Sequence, residues 1–299
     1  MAMKLKLLGV RGSRPTHKDA ILGYGGNSTS IELELDSDFY LFIDGGSGLV
    51  QRGWELTEKP EKSKFHVLIS HTHWDHILGF PFFEPLYHPQ NKFTFYASNT
   101  SRATFTDLFF GLQKSENLPV PQNQLAAHIE FKTILPATPF VIENLVKVST
   151  IQLNHQGVTL GYRIEYRGET MAFISDSAPI DHGNYLGENM PPCSIVNAEF
   201  EEQYNRSISK FLAGVHTVVF DTHFSEKNLK PDWGHSTPEK ALQFCEMAGT
   251  KRLILFHHAP EDTDAVVRQK VEAILLKGLK KGIEIEAARE GDTWLLRSA

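Results

Sequence analysis

Residues 71–76 read His-Thr-His-Trp-Asp-His, directly after the apolar, strand-like run Val67-Leu68-Ile69. Three histidines and one carboxylate fall within six residues. Imidazole nitrogens and carboxylate oxygens are the ligand set that divalent zinc prefers. A tight turn lets His71 and His73 point to one side while Asp75 and His76 reach another point. One short loop can therefore begin two metal sites. A lone histidine is better read as an ordinary core or surface residue. Clustered His and Asp at the end of a buried strand need a reason to sit together, and metal ligation supplies it.

That segment fits His-x-His-x-Asp-His, and with it the chain resembles the metallo-β-lactamase-fold hydrolases. The resemblance runs through nearly the whole sequence. Gly23-Tyr24-Gly25-Gly26-Asn27-Ser28-Thr29 is similar to the family's Gly-Gly-Asn-Thr segment, and Ile43-Asp44-Gly45-Gly46-Ser47-Gly48 to its Asp-x-Gly strand-end turn. Asn154-His155-Gln156, Phe173-Ile174-Ser175-Asp176-Ser177 and Leu253-Ile254-Leu255-Phe256-His257 resemble the third, fourth and fifth motifs. Gly234-His235-Ser236-Thr237 resembles the His-Ser-Thr motif of the phosphodiesterase branch. That branch includes tRNase Z, the cyclic-phosphate hydrolase of phosphonate breakdown and cyclic-nucleotide phosphodiesterases; β-lactamases and glyoxalases lack the motif.

The resemblance implies a dinuclear centre, with two Zn²⁺ or Mn²⁺ ions. His71, His73 and His155 would hold one ion, and Asp75, His76 and His257 the other, with Asp176 bridging. Such ions lower the pKa of a coordinated water towards ~7 and neutralise the charge of a phosphodiester. Two histidines compete for the fifth motif; the family spacing favours His257 and leaves His258 to line the pocket. Asp75 and His235 are the expected catalytic residues, with His235 protonating the leaving oxygen. Asp221, Asp232 and Glu199 are the candidate acidic partners of His235. Asn27, Ser28 and Thr29, on a Gly-rich turn, are candidate donors to a substrate phosphate, with His258 beside them. His17, His182 and His223 read as surface or supporting residues, although His223 is close enough in sequence to approach the site.

The 299 residues suffice for one large domain, and the whole span 1–299 is read as one. Strand patterns cover Leu5–Val10, Ile31–Leu35, Phe39–Ile43, Phe65–Ser70 and Lys92–Ala97, then His128–Leu135, Val146–Leu153, Leu160–Tyr166, Thr170–Ile174, Thr217–Phe220 and Arg252–Phe256. Helices are expected over Ser101–Leu112, after Ser236 or Thr237 with Glu239 closing a capping box, and over Thr263–Lys277. Residues 115–124 read as loop. Periodicity by itself gives a layered α/β fold. The resemblance sharpens that to a four-layer αβ/βα sandwich, two mixed sheets with helices outside. No internal repeat stands out.

Net charge is −6, which disfavours a protein that embraces long nucleic acid. Cys193 and Cys245 form no C-x-x-C pair, which fits a reducing cytoplasm. No signal segment or membrane span is expected. The leading expectation is a zinc phosphodiesterase for a small substrate, a cyclic nucleotide first, acting as a homodimer as the branch often does. A tRNase Z-like endonuclease lacking the tRNA-binding arm is the alternative, because only residues 157–175 separate Gln156 from Asp176. A non-catalytic metal-binding or sensory module is the third; a complete ligand set with His235 argues against it.

Overall fold

The computed structural model describes residues 3–58, 60–100, 103–114, 124–180, 185–187 and 198–296. Cys193, His182 and nearly all of the loop expected over 115–124 lie outside the described residues. The chain divides into two compact units, Met1–Ile134 with Arg289–Leu295, and Leu135–Ala288 with Leu296–Ala299.

The first unit is built on a seven-stranded sheet. Its strands are β1 Lys4–Gly9, β2 Ser30–Glu34, β3 Phe39–Ile43, β4 Lys64–Leu68, β5 Lys92–Ala97 and β6 His128–Thr133, with Thr293–Leu295 (β14) beside β1. Pairing is antiparallel from β14 to β3 and parallel from β3 to β6. Phenylalanines dominate the core, among them Phe42, Phe65, Phe80, Phe83, Phe93, Phe95 and Phe109. The Phe65 and Phe93 rings stack at 4.4 Å and Phe80 meets Phe95 edge-on at 5.2 Å. Such rings bury large areas and prefer these offset geometries. Helices α1 Gly48–Glu58, α2 Trp74–Ile77 and α3 Phe105–Leu112 belong to this unit.

The second unit carries a seven-stranded sheet of the same plan. Strands β7 Phe140–Ile142, β8 Val146–Gln152, β9 Leu160–Tyr166 and β10 Glu169–Ile174 pair antiparallel in succession. From β10 the pairing is parallel, through β11 Thr217–Asp221 and β12 Arg252–Phe256 to β13 Glu284–Ala287. Its helices are α4 Ala198–Leu212, α5 Pro238–Ala248 and α6 Asp264–Lys280. The core is mostly aliphatic, including Ile174, Ile208, Leu212, Val218, Leu253 and Ile274. The two halves thus repeat one strand plan that the sequence did not disclose.

Both sheets are mixed and carry helices, the α/β class expected. The two sheets and most strand bounds match the sequence reading within a residue or two. Helix α5 differs in its start. Thr237 is the cap, accepting from Lys240 N at 3.3 Å, so the third helical position is Lys240 and Glu239 cannot close a capping box. Helices α1 and α4 were not anticipated. No described helix is long and apolar enough to cross a membrane.

Candidate functional site

In the first unit, β4 delivers the loop that carries His71, His73, Asp75 and His76. The ring centroids of His71 and His73 lie 4.6 Å apart, and those of His71 and His76 lie 4.1 Å apart. His71, Asp75 and His76 are buried, whereas His73 is exposed. Asp75 Oδ2 accepts from Ser13 N at 2.6 Å. Behind the loop stands Asp44, fully buried at the end of β3 with φ +58°. Its Oδ1 accepts from Ser70 N at 2.7 Å, and its Oδ2 from Ser70 Oγ at 2.7 Å and His76 Nδ1 at 2.8 Å. A left-handed non-glycine residue persists only where its surroundings hold it, and such residues cluster at functional sites.

In the second unit the corresponding residues come from four separate places. His155 follows β8, Asp176 ends β10, His235 precedes α5 and His257 ends β12 with φ +60°. All four are buried. The ligand atoms of Asp176, Asp221, His235 and His257 lie within 4.8 Å of one another. His155 Nδ1 donates to the carbonyl of Gly234 at 2.8 Å. Gly234 has φ +81°, and a Cβ there would fall 1.9 Å from His155 Nδ1, so only glycine fits.

These contacts test the fit to a metal. With Nδ1 donating to Asp44 or to Gly234 O, the other nitrogen of His76 and of His155 is a lone pair. His76 Nε2 then faces Asp75 Oδ2 at 3.3 Å, and His155 Nε2 faces Asp176 Oδ2 at 3.6 Å. His257 Nε2 faces Asp176 Oδ1 at 3.2 Å while its Nδ1 faces Asp221 Oδ1 at 3.6 Å. For His76 and His155 acceptor meets acceptor, and a cation between them would make such buried pairs stable. The donor set fits divalent metal in both units.

His235 is arranged differently. Its Nδ1 bonds Asp221 Oδ2 at 3.1 Å, which makes Asp221 the acidic partner among the three sequence candidates. Asp232 and Glu199 have no such contact. Asp221 is fully buried and also accepts from Ser177 N and Ser236 N, each at 3.2 Å, and from His223 N at 3.0 Å. Burial works to raise its pKa, but the His235 and His257 imidazoles outweigh burial and hold the carboxyl well below the usual range. His223, read from sequence as peripheral, is buried and stacks on His235 at 4.4 Å and 18°. Burial first, then the charges of His235 and His257, push its pKa down to about 2, so it packs as a neutral ring.

The turn residues expected to meet substrate have other partners. Ser28 is fully buried, and its Oγ accepts from Ser47 N at 2.9 Å. Asn27 Nδ2 donates to Glu290 Oε1 at 2.6 Å, and its Oδ1 accepts from Ser47 Oγ at 2.9 Å. Thr29 is buried, as Ser28 is. His258 Nε2 is held by the Ala288 carbonyl at 2.8 Å. Asn27, Ser28 and His258 are thus held by bonds within the fold.

The family model of the beta-lactamase superfamily domain matches residues 41–258. The chain belongs to that superfamily. The match takes in every candidate ligand position and His235, and membership makes the chain a metal-dependent hydrolase. Ribonuclease Z of Latilactobacillus sakei subsp. sakei (strain 23K) is 24% identical, covering 89% of this chain and 90% of that one. Ribonuclease Z of Methanococcus maripaludis (strain C7 / ATCC BAA-1331) is 25% identical over 85% and 87%. Among solved structures, the metallo-β-lactamase fold protein YhfI from Bacillus subtilis aligns with TM-score 0.68 and 15% identity, over 98% of this chain and 99% of that one. Unliganded yeast PDE1 gives 0.66 at 12% identity, covering 99% of each chain. The short form of human tRNase Z gives 0.63 at 15%, over 98% and 99%. At such identities these structures establish the fold, the metallo-β-lactamase α/β class.

Proposed function

We propose that the protein is a dinuclear zinc phosphodiesterase for a small substrate, a cyclic nucleotide first, with His235 as general acid. The Asp221–His235 pair carries the reading. A buried carboxylate on Nδ1 orients the ring, so that in its doubly protonated form the Nε2–H is the proton it delivers. In this reading His71, His73 and His155 would hold one ion, Asp75, His76 and His257 the other, and Asp176 would serve both. When bound, two such ions supply a nucleophile from water and neutralise the phosphodiester charge. Asp44 and Gly234 O set the His76 and His155 rings for that task. Asp221 holds His235 so that its Nε2 proton can pass to the departing oxygen. In this reading the two compact units act as one catalytic domain. A homodimer and a reducing cytoplasm complete the proposal. Cys245 supports the latter, a free thiol that burial pushes up to about 12 and so keeps inert.

A second reading, a ribonuclease Z-like endonuclease, draws on the relatives at 24% and 25% identity. Against it, residues 160–174 are the plain hairpin β9–β10, turned at Arg167 and Gly168, with no inserted arm. A panel of cyclic nucleotides, bis(p-nitrophenyl) phosphate, nitrocefin and a tRNA precursor, offered to zinc-loaded protein, tests both. Cleavage of the diesters and not of nitrocefin is expected. Turnover of nitrocefin with the diesters intact would overturn the phosphodiesterase assignment, and cleavage of the tRNA precursor alone would favour the second reading.

A further inference from the structure

Helix α6 buries a charged side chain that the chemistry above does not use. Lys270 lies within α6 and is 4% exposed. Its Nζ donates to the carbonyl of Thr222 at 2.9 Å, to the carbonyl of His223 at 2.5 Å and to Asp262 Oδ2 at 2.5 Å. A buried ammonium is costly unless it is paired and bonded in this way. Even then, apolar residues in place of a buried ion pair are often as stable or more so. Stability alone therefore gives little account of the pair, and the identity of its acceptors becomes the informative point.

Those acceptors stand on two strand-end segments. Thr222 and His223 follow Asp221, the last residue of β11. Asp262 lies on the segment that leads from His257 into α6. Contacts then run from the first segment to His235. His223 N donates to Asp221 Oδ1 at 3.0 Å, and the His223 ring stacks on His235 at 4.4 Å. His223 Nδ1 is buried with no hydrogen-bond partner among the described residues. The ring is thus placed through its backbone, and Lys270 grips that backbone.

We infer that Lys270, paired with Asp262, is a positioning residue for His235. It pins the 222–223 bend, so that the His223 ring backs the His235 imidazole and Asp221 meets its Nδ1. The inference rests on the reading of His235 as the general acid. A misplacement of about 1 Å caused far from the reacting atoms can cost about 10²-fold in rate.

Lys270→Met alone would leave Asp262 buried and unpaired, so the test uses the zinc-loaded double variant Lys270→Met with Asp262→Leu, beside His235→Ala. Tm and metal content of the double variant should stay near the parent's. Its kcat on a cyclic nucleotide should fall by up to about 10²-fold with KM little changed, and bis(p-nitrophenyl) phosphate should suffer much less. Asp262→Asn, which keeps the shape of the pair, should show the same pattern at smaller size. In protein labelled at histidine nitrogen, the His235 Nδ1 proton, assigned by its absence from His235→Ala, should exchange with water faster in the double variant. Unchanged turnover of the nucleotide, or equal losses on both substrates with an unchanged Nδ1 proton, would overturn the inference and leave Lys270 a strut of α6. If His235→Ala itself loses equally on both substrates, the general-acid reading fails. The Nδ1 proton then decides alone, faster exchange supporting placement of the ring by Lys270 and unchanged exchange refuting it.

Discussion

The two units solve the same problem, an aspartate buried behind histidines, in different ways. In the first, the Asp44 carboxylate bonds Ser70 N, Ser70 Oγ and His76 Nδ1, all next to the candidate ligands. In the proposed reading it fixes one imidazole for a metal. In the second, Asp221 gathers Ser177, His223, His235 and Ser236 from three stretches of chain. In the proposed reading it holds the acid, and its bonds tie together the ends of β10 and β11 and the turn before α5. A local centre needs one support. A dispersed one needs a hub, and a hub has more to lose when it is changed.

The largest effect should therefore come from Asp221→Asn. It leaves the hub's shape but removes the charge that orients the His235 ring, so diester turnover should fall about 10²–10⁴-fold. Metal content, read by elemental analysis, should stay near that of the parent. A turnover loss matched by loss of metal would mean that Asp221 serves the ligands and not the acid. Asp44→Asn should act the other way. Weakening the support of His76 should lower metal affinity about 10–100-fold, and excess zinc should restore turnover. Failure of zinc to restore it would erase the distinction between the two aspartates.

A smaller effect separates the two helix starts. Helix α2, which carries Asp75 and His76, begins after His73 with no side-chain cap bond, whereas α5 begins after the capping Thr237. Thr237→Ala should cost about 1 kcal/mol of stability, seen as a shifted denaturation midpoint with turnover changed only a few-fold. A loss of turnover far beyond that would place Thr237 in the chemistry.

The contrast between the units also explains what the sequence disclosed. Residues 71–76 were legible because their ligands are consecutive and follow an apolar strand. Strands such as Phe39–Ile43, Lys92–Ala97 and Leu160–Tyr166 were legible because buried strands write apolar, β-branched and aromatic runs. The hub was only partly legible. Asp221 stood beside Asp232 and Glu199 because sequence does not say which distant carboxylate folds back on His235. In the sequence His223 reads as a surface or supporting residue able to approach the site, and its stacking on His235 depends on the bend that follows β11. A Gly-rich turn looks like an anion cradle, and sequence does not show that Asn27 and Ser28 also bond Ser47 and Glu290. Helix α1 was hidden by Gly48 and Gly53, poor helix formers. Helix α4 carried a signal that was passed over, with Tyr204, Ile208 and Leu212 spaced four apart and buried.

The central claim, that His235 protonates the leaving oxygen, is tested most directly by pairing two leaving groups. His235→Ala is assayed at full metal occupancy on a cyclic nucleotide, whose sugar alkoxide leaves poorly, and on bis(p-nitrophenyl) phosphate, whose nitrophenolate leaves without a proton. The account expects a loss of about 10²–10⁴-fold on the nucleotide and a much smaller loss on the nitrophenyl ester. Equal losses on both substrates, with both metals retained, would contradict it and make His235 a residue that positions the phosphate.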